Sequence, residues 1–179
     1  MSNIRFIGCL HLGHQWMAKR RGFVDAEAHD EHLIEEYNKI VSKRDLVYLI
    51  GDITMNAPEH YYLLDRLKGK KIVVLGNHDK PDSVRTLLNY VDAVAGMVDY
   101  KGFAITHCPI HPSEVGLYKG NVHAHIHHDN VLEEVRALSS YADEDSTPEL
   151  TLHKYHNVDA HVLNYKPRTL EELIKKVII

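Results

Sequence analysis

Ile72-Val73-Val74-Leu75 is an unbroken apolar run rich in β-branched residues, and it stops at Gly76, where Asn77-His78-Asp79 follows at once. A short run of that kind predicts a strand buried on both faces. A rigid strand then delivers an amide, an imidazole and a carboxylate to a single loop. Strand ends are where α/β proteins assemble their chemistry. Taken alone, the stretch also reads as a plain β-turn, because Gly and Asn are common turn formers.

The same arrangement recurs along the chain. Ile4 to Gly8 reads as a strand that ends in Cys9-Leu10-His11-Leu12-Gly13-His14. Cys9 and His11 lie two apart, so on an extended backbone they point the same way. Both are metal-ligand types, although an isolated C-x-H also describes a buried structural Cys beside an unrelated His. Leu46 to Ile50 is a second apolar strand, closed by Gly51-Asp52, whose carboxylate either caps the next element or binds a cation. Val94–Val98 and Phe103–Thr106 read as strands, the second running into His107-Cys108-Pro109. In Asn121–His128 an extended backbone puts His123, His125 and His127 on one face, a poor way to build a core and a suitable way to hold metal.

Helices are expected between these strands. Leu33, Ile34, Tyr37, Ile40 and Val41 recur at helical spacing over Asp25–Val41, with Asp25 as N-cap and His29 and His32 on the polar side. Pro58–Leu67 and Asp82–Asn89 read as two more helices, and Thr169–Val177 as a fourth with a Thr169/Glu172 capping box. Residues 15–24 fit a short helix or a loop, with Lys19 and Arg20 solvated and Arg21 suited to bidentate phosphate contact. Ser139–Pro148 reads as an acidic loop and His156–Tyr165 as a last strand.

A length of 179 residues suits a single domain spanning 1–179, and 44% hydrophobic with 26% charged residues is an ordinary globular balance. The sequence has no apolar run of membrane-spanning length, and its N-terminus lacks a signal-peptide core, so the expectation is a cytoplasmic protein. Two cysteines do not make a disulfide framework. A net charge of -4 argues against a wide footprint on duplex nucleic acid. The departure from average usage is histidine, with 15 residues, a surplus associated with metal binding.

Taken in order, Cys9-Leu10-His11, Gly51-Asp52, Gly76-Asn77-His78-Asp79, His107 and Ala124-His125-Ile126-His127 resemble the signature of the calcineurin-like metallophosphoesterase superfamily. That signature runs D-x-H, G-D, G-N-H-[DE], a lone His and G-H-x-H. The similarity covers residues 3 to 175. It is nearest to the short single-domain bacterial and bacteriophage type, which shares the H-x-G-H of His11–His14 and the Arg-x-Phe of Arg21–Phe23. The resemblance implies a four-layer α/β/β/α sandwich of two mixed β-sheets flanked by helices. It implies a metal-dependent phosphoric ester hydrolase with two divalent ions; diester, monoester and cyclic nucleotide all suit such a pair, and phosphodiesters are favoured over monoesters because one side chain, His78, can serve a leaving alkoxide. The first ion would take Cys9, His11, Asp52 and His127; the second would take Asp52, Asn77, His107 and His125. Two ions about 3.5–4 Å apart clamp a phosphate and acidify a bridging water. His78 would steady the phosphate or protonate the leaving group, Asp79 would orient His78, and His14, Arg21 and Asn77 would contact substrate.

Two positions depart from the pattern: Cys9 stands where the family has Asp, and Ala124 where it has Gly. A thiolate is softer than a carboxylate, which turns the first site toward zinc or iron and away from manganese or magnesium, with manganese and nickel remaining open as alternatives. The alternatives are a degenerate relative that grips a phosphate or nucleotide without cleaving it, and a nuclease-like enzyme acting on nucleic acid ends. The expected partner is a small phosphoester or nucleotide, with no membrane and no extended duplex. A close approach of Cys9 and Cys108 would permit a disulfide.

Overall fold

The runs that open the chain become parallel neighbours: β1 (Ile4–Gly8), β2 (Leu46–Ile50) and β3 (Lys70–Val74). Their register sets Gly8, Ile50 and Val74 abreast. The next residues, Cys9, Gly51 and Leu75, therefore leave the sheet at one level. This is a computed structural model, and it describes residues 2–127 and 154–175. His128, the expected loop Ser139–Pro148 and Val177 lie outside the described residues. β4 (Ala93–Ala95) extends this sheet in parallel beyond β3, and β9 (Arg168–Thr169) closes the other edge antiparallel to β1.

A second sheet has the order β5 (Val98–Tyr100), β6 (Phe103–Ile105), β7 (Gly120–His123), β8 (Tyr155–Asn157). Only the β5–β6 pair is antiparallel. Both sheets are mixed, and the architecture is the expected α/β sandwich. The sheets meet on aromatic rings. Phe6 stacks on Tyr48 at 5.4 Å, and Tyr100 of the second sheet tilts onto both at 5.7 and 6.2 Å. Such pairs are worth about 0.5–1.5 kcal/mol each beyond their buried area. Gly8 bridges to Asp159 at the seam, so the chain itself stitches the two sheets together.

Helix α1 (Gln15–Arg20) packs on α2 (Ala26–Ile40), whose stripe Leu33, Ile34, Tyr37 enters the core. Asp25 caps α2 by accepting from the Ala28 N–H at 2.8 Å. α3 (Pro81–Leu87) and the one-turn α4 (Pro112–Val115) follow, and α5 (Leu170–Lys175) carries the expected capping box: Thr169 N–H donates to Glu172, and Glu172 N–H to Thr169 Oγ1. No helix among the described residues is long and apolar enough to cross a membrane.

Several expectations are corrected. Pro58–Arg66 is a 3₁₀ helix, and its buried Tyr61 and Leu64 are three apart, the spacing that aligns side chains at three residues per turn. The expected strand Val94–Val98 divides at Gly96 into β4 and β5, which belong to different sheets. The expected strand His156–Tyr165 is β8 followed by turns. His29 is fully buried, not on a polar face, because Arg21 and Asp30 supply its ring with partners in the interior.

Candidate metal centre

The loop after β1 runs across the loop after β2. Cys9 N–H donates to Gly51 O, His11 N–H to Asp52 O and Leu12 N–H to Ile53 O, at 3.0, 3.0 and 2.8 Å. A parallel pairing thus continues past the strands and puts Cys9, His11 and Asp52 side by side. The loops after β6 and β7 reach the same edge, since Ala124 N–H donates to His107 O and His107 Nδ1 donates to Ile50 O.

Three groups of ligand atoms lie mutually within 4.8 Å: Cys9/His11/His127, Cys9/Asp52/His107 and His107/Cys108/His125. Asp52 Oδ2 lies 3.3 Å from His107 Nε2 and 4.0 Å from His11 Nε2, between the two histidines. Asn77 Oδ1 and His125 Nδ1 are 3.0 and 3.2 Å from His107 Nε2. The structure therefore brings together all seven side chains expected as ligands.

Two observations fit this set to a metal. Both ring nitrogens of His11 are buried without a hydrogen-bond partner, a costly state for an imidazole unless an ion takes the electron pair. Burial, then the nearby Arg21 charge, lowers the His11 pKa to about 3, which keeps the ring neutral as a ligand must be. Secondly, Cys9, His11, Asp52, His125 and His127 all have φ between 50° and 68°. Non-glycine residues in this left-handed region are uncommon and are found where a site demands them. His125 and His127 therefore do not alternate along a strand. β7 ends at His123, and turns aim the two rings. His123 stays buried in the second sheet, its Nδ1 3.0 Å from Ala124 O and its ring against Tyr155.

Burial pushes the Cys9 thiol well up, with Asp159 and Asp52 adding to it, so without a cation it is a neutral S–H. Its sulfur accepts the His125 N–H at 3.2 Å. Burial would likewise raise the Asp52 carboxyl, but the His107 hydrogen bond and charge reverse this and hold it below its ordinary value. Ala124 is accommodated by its neighbour. A Cβ on Gly8 would stand 2.7 Å from Ala124 Cβ and 2.4 Å from Ile50 O, so Gly8 leaves the room that Ala124 fills.

Asp79 has a different task from the one expected. Its carboxylate accepts the backbone N–H groups of Asp52, Ile53 and Gly76 at 2.9, 3.1 and 2.8 Å, tying the loop after β2 to the loop after β3. It orients His78 only through the backbone, since His78 N–H donates to Asp52 Oδ1 at 3.0 Å. The half-buried His78 ring stands 6.2 Å from the His11 ring, at the mouth of the cluster. His14 also borders the cluster, with its ring 6.2 Å from that of His11 and its Nδ1 buried without a partner. Burial, then His78, lowers its pKa.

Arg21 is buried beneath these side chains rather than open to a phosphate. One arm of its guanidinium donates to Leu10 O and meets His29 Nε2. The other donates to Cys9 O at 2.8 Å and to Asp159 at 3.2 Å. Asp159, which the sequence reading missed, is fully buried and accepts His127 Nδ1–H at 2.7 Å. A carboxylate on one ring nitrogen fixes the tautomer and leaves the other free for an ion. A chain of contacts runs on from Arg21 through His29 and Asp30 to the Gly13 N–H. The nearest signal for Asp159 was a charged residue inside a segment otherwise read as strand.

Fold and site together define an α/β sandwich protein with a cluster of metal-ligand side chains at the carboxyl ends of its parallel strands. No protein-family model matches the chain. The uncharacterized protein MJ1445 of Methanocaldococcus jannaschii is 29% identical over 182 residues, covering 99% of this chain and 92% of its own. The Gene 66 protein of Mycobacterium phage D29 is 38% identical over 86 residues, a match that spans 45% of this chain and 42% of the phage protein. Among solved structures, the protein of unknown function AQ665 from Aquifex aeolicus shares the fold: TM-score 0.70 at 21% identity, covering 99% of this chain and 100% of that one. A phosphopantetheinyl hydrolase from Mycobacterium tuberculosis overlaps at a TM-score of 0.34 and 17% identity, over 84% of this chain and 55% of that one, too loosely to carry an argument.

Proposed function

We propose that this chain is a metal-dependent phosphoric ester hydrolase that holds two divalent ions and cleaves phosphodiesters. The observation that carries the reading is His11. A neutral imidazole with buried, unpartnered nitrogens, ringed by Cys9, Asp52 and His127, has the surroundings of a metal ligand, with one ring nitrogen available to an ion. Asp52, between His11 and His107, is suited to bridge two positions. Cys9, His11, Asp52 and His127 would hold one ion, and Asp52, Asn77, His107 and His125 the other. When bound, such a pair clamps phosphate oxygens and supplies hydroxide at neutral pH.

The remaining chemistry belongs to the chain. His78 stands at the mouth, with its backbone tied to Asp52, and can donate a proton to the departing alkoxide or steady charge growing on phosphate. Asn77 is exposed beside it and available to substrate. Asp79 locks the two loops that carry these groups, and Asp159 with Arg21 sets the His127 ring and the Cys9 backbone.

The test is metal analysis joined to turnover. Protein stripped by chelation is reloaded with zinc, iron, manganese or nickel and assayed on bis(p-nitrophenyl) phosphate and p-nitrophenyl phosphate. Two ions per chain and faster diester cleavage are expected. His78→Ala should keep both ions and lower turnover about 10²–10⁴-fold. A fully loaded protein that never exceeds one ion per chain, or that binds two and cleaves neither ester, would overturn the reading.

A further inference from the structure

The chain has two cysteines, and each belongs to a group of ligand atoms at this one site. We infer that Cys108 is a thiolate ligand of the second ion, alongside His107 and His125. This rests on the two-ion reading above and adds a donor to it. The Cys108 sulfur and one nitrogen of each histidine lie within 4.8 Å of one another. Thr106 Oγ1 donates to Cys108 O at 2.6 Å, which fixes the backbone carrying the thiol, and Pro109 follows directly.

Charge balance points the same way. Asn77, His107 and His125 are neutral donors, so without Cys108 the protein gives the second ion only a share of the Asp52 charge. The first ion has that share and the Cys9 thiolate. A Cys108 thiolate gives the second ion a matching negative charge. The Cys108 S–H loses its proton to solvent as the sulfur–metal bond forms, which is ordinary for a coordinating thiol. Asp52 is buried and Cys108 exposed, so the two anionic donors reach the second position from inside and from the solvent side. With one sulfur each, both positions favour thiophilic ions.

Cobalt substitution reads this directly, because a cobalt–thiolate bond gives a sulfur-to-metal charge-transfer band that oxygen and nitrogen ligands lack. Wild type, Cys9→Ser, Cys108→Ser and the double variant are loaded with Co²⁺, with bound cobalt measured in each. The band should fall by about half in each single variant and vanish in the double. Alkylation of Cys108 by iodoacetamide should be fast in the stripped protein and blocked after loading. If two ions bind and Cys108→Ser keeps the full band, the inference fails while the two-ion reading stands. If wild type takes up no cobalt, both fall. Should Cys9→Ser not fold, Cys108→Ser and the alkylation rates suffice: a full band or unprotected Cys108 overturns the inference.

Discussion

Arg21 discriminates sharply between a substrate contact and a brace. Removing its side chain as Arg21→Ala strands the Asp159 carboxylate, which is fully buried and is left with His127 as its side-chain partner. Breaking a buried pair by deleting one partner costs about 3–5 kcal/mol. The carbonyls of Cys9 and Leu10 lose their donors as well, at about 1–3 kcal/mol for each one left unsatisfied. These terms overlap, so the first sets the expectation. In a domain of this size, 1 kcal/mol moves the midpoint about 2–4 °C, and the metal-free protein should melt about 6–20 °C lower. Arg21→Lys keeps the charge but not the fork, and should recover only part of the loss. The assay is thermal unfolding in chelator, where no substrate or ion complicates the result. A midpoint within about 2 °C of wild type, together with a raised KM for phosphoester, would refute the brace and restore the phosphate contact.

Cys9→Asp should fold, retain two ions and shift activity toward manganese, whereas Cys9→Ala should lose the first ion and most activity; metal content and the metal dependence of turnover decide, and an unchanged zinc preference in Cys9→Asp would count against sulfur ligation. Burial pushes His123 down to about 4, against about 6.5 when unfolded, so the unfolded chain takes the proton first as pH falls. Stability is then complete above about pH 6.5 and is lost toward pH 4, by about 3 kcal/mol for this residue. His11 and His14 act in the same direction and His107 against it, so His123→Phe should flatten, without abolishing, the fall of melting temperature with pH in stripped protein; an unaltered slope would exclude His123 as a source. A Cβ on Gly76 would stand 2.4 Å from Asp52 Oδ1, so Gly76→Ala should displace that carboxylate and cost about 1–3 kcal/mol; metal content equal to wild type would contradict the packing.

What the sequence made legible was what periodicity and order encode. β2 and β3 were clear because a continuous apolar run ending in glycine has few other uses in an α/β fold, β1 because a short apolar stretch broken only by Arg5 ends the same way, and α2 because its stripe and cap agree. The seven residues expected as ligands were picked out by type and order, and their side chains lie together at one edge of the sheets. Their backbone was not legible, since no local signal marks a non-glycine residue for the left-handed region, and His125 and His127 were read as strand. Asp159 and His29 were missed for a related reason: a buried polar residue is recognised through its partners, and Arg21 is 138 residues from one of them. Gly96 did carry a signal, a glycine inside an apolar run, and it marks where the chain changes sheets.

The Gly8–Asp159 bridge at the seam between the sheets has a consequence for the order in which the molecule is made. During synthesis Cys9, His11 and Asp52 emerge early, but Asp159, the support of His127, emerges only after nearly all of the chain. Closure across such a separation is slow, because the loop entropy is spent before any contact rewards it. The complete cluster therefore forms late, and an ion captured there would mark a chain that has finished folding. Because that ion would grip loops from both sheets, it should slow their parting more than it speeds their docking, acting mainly as a latch on unfolding.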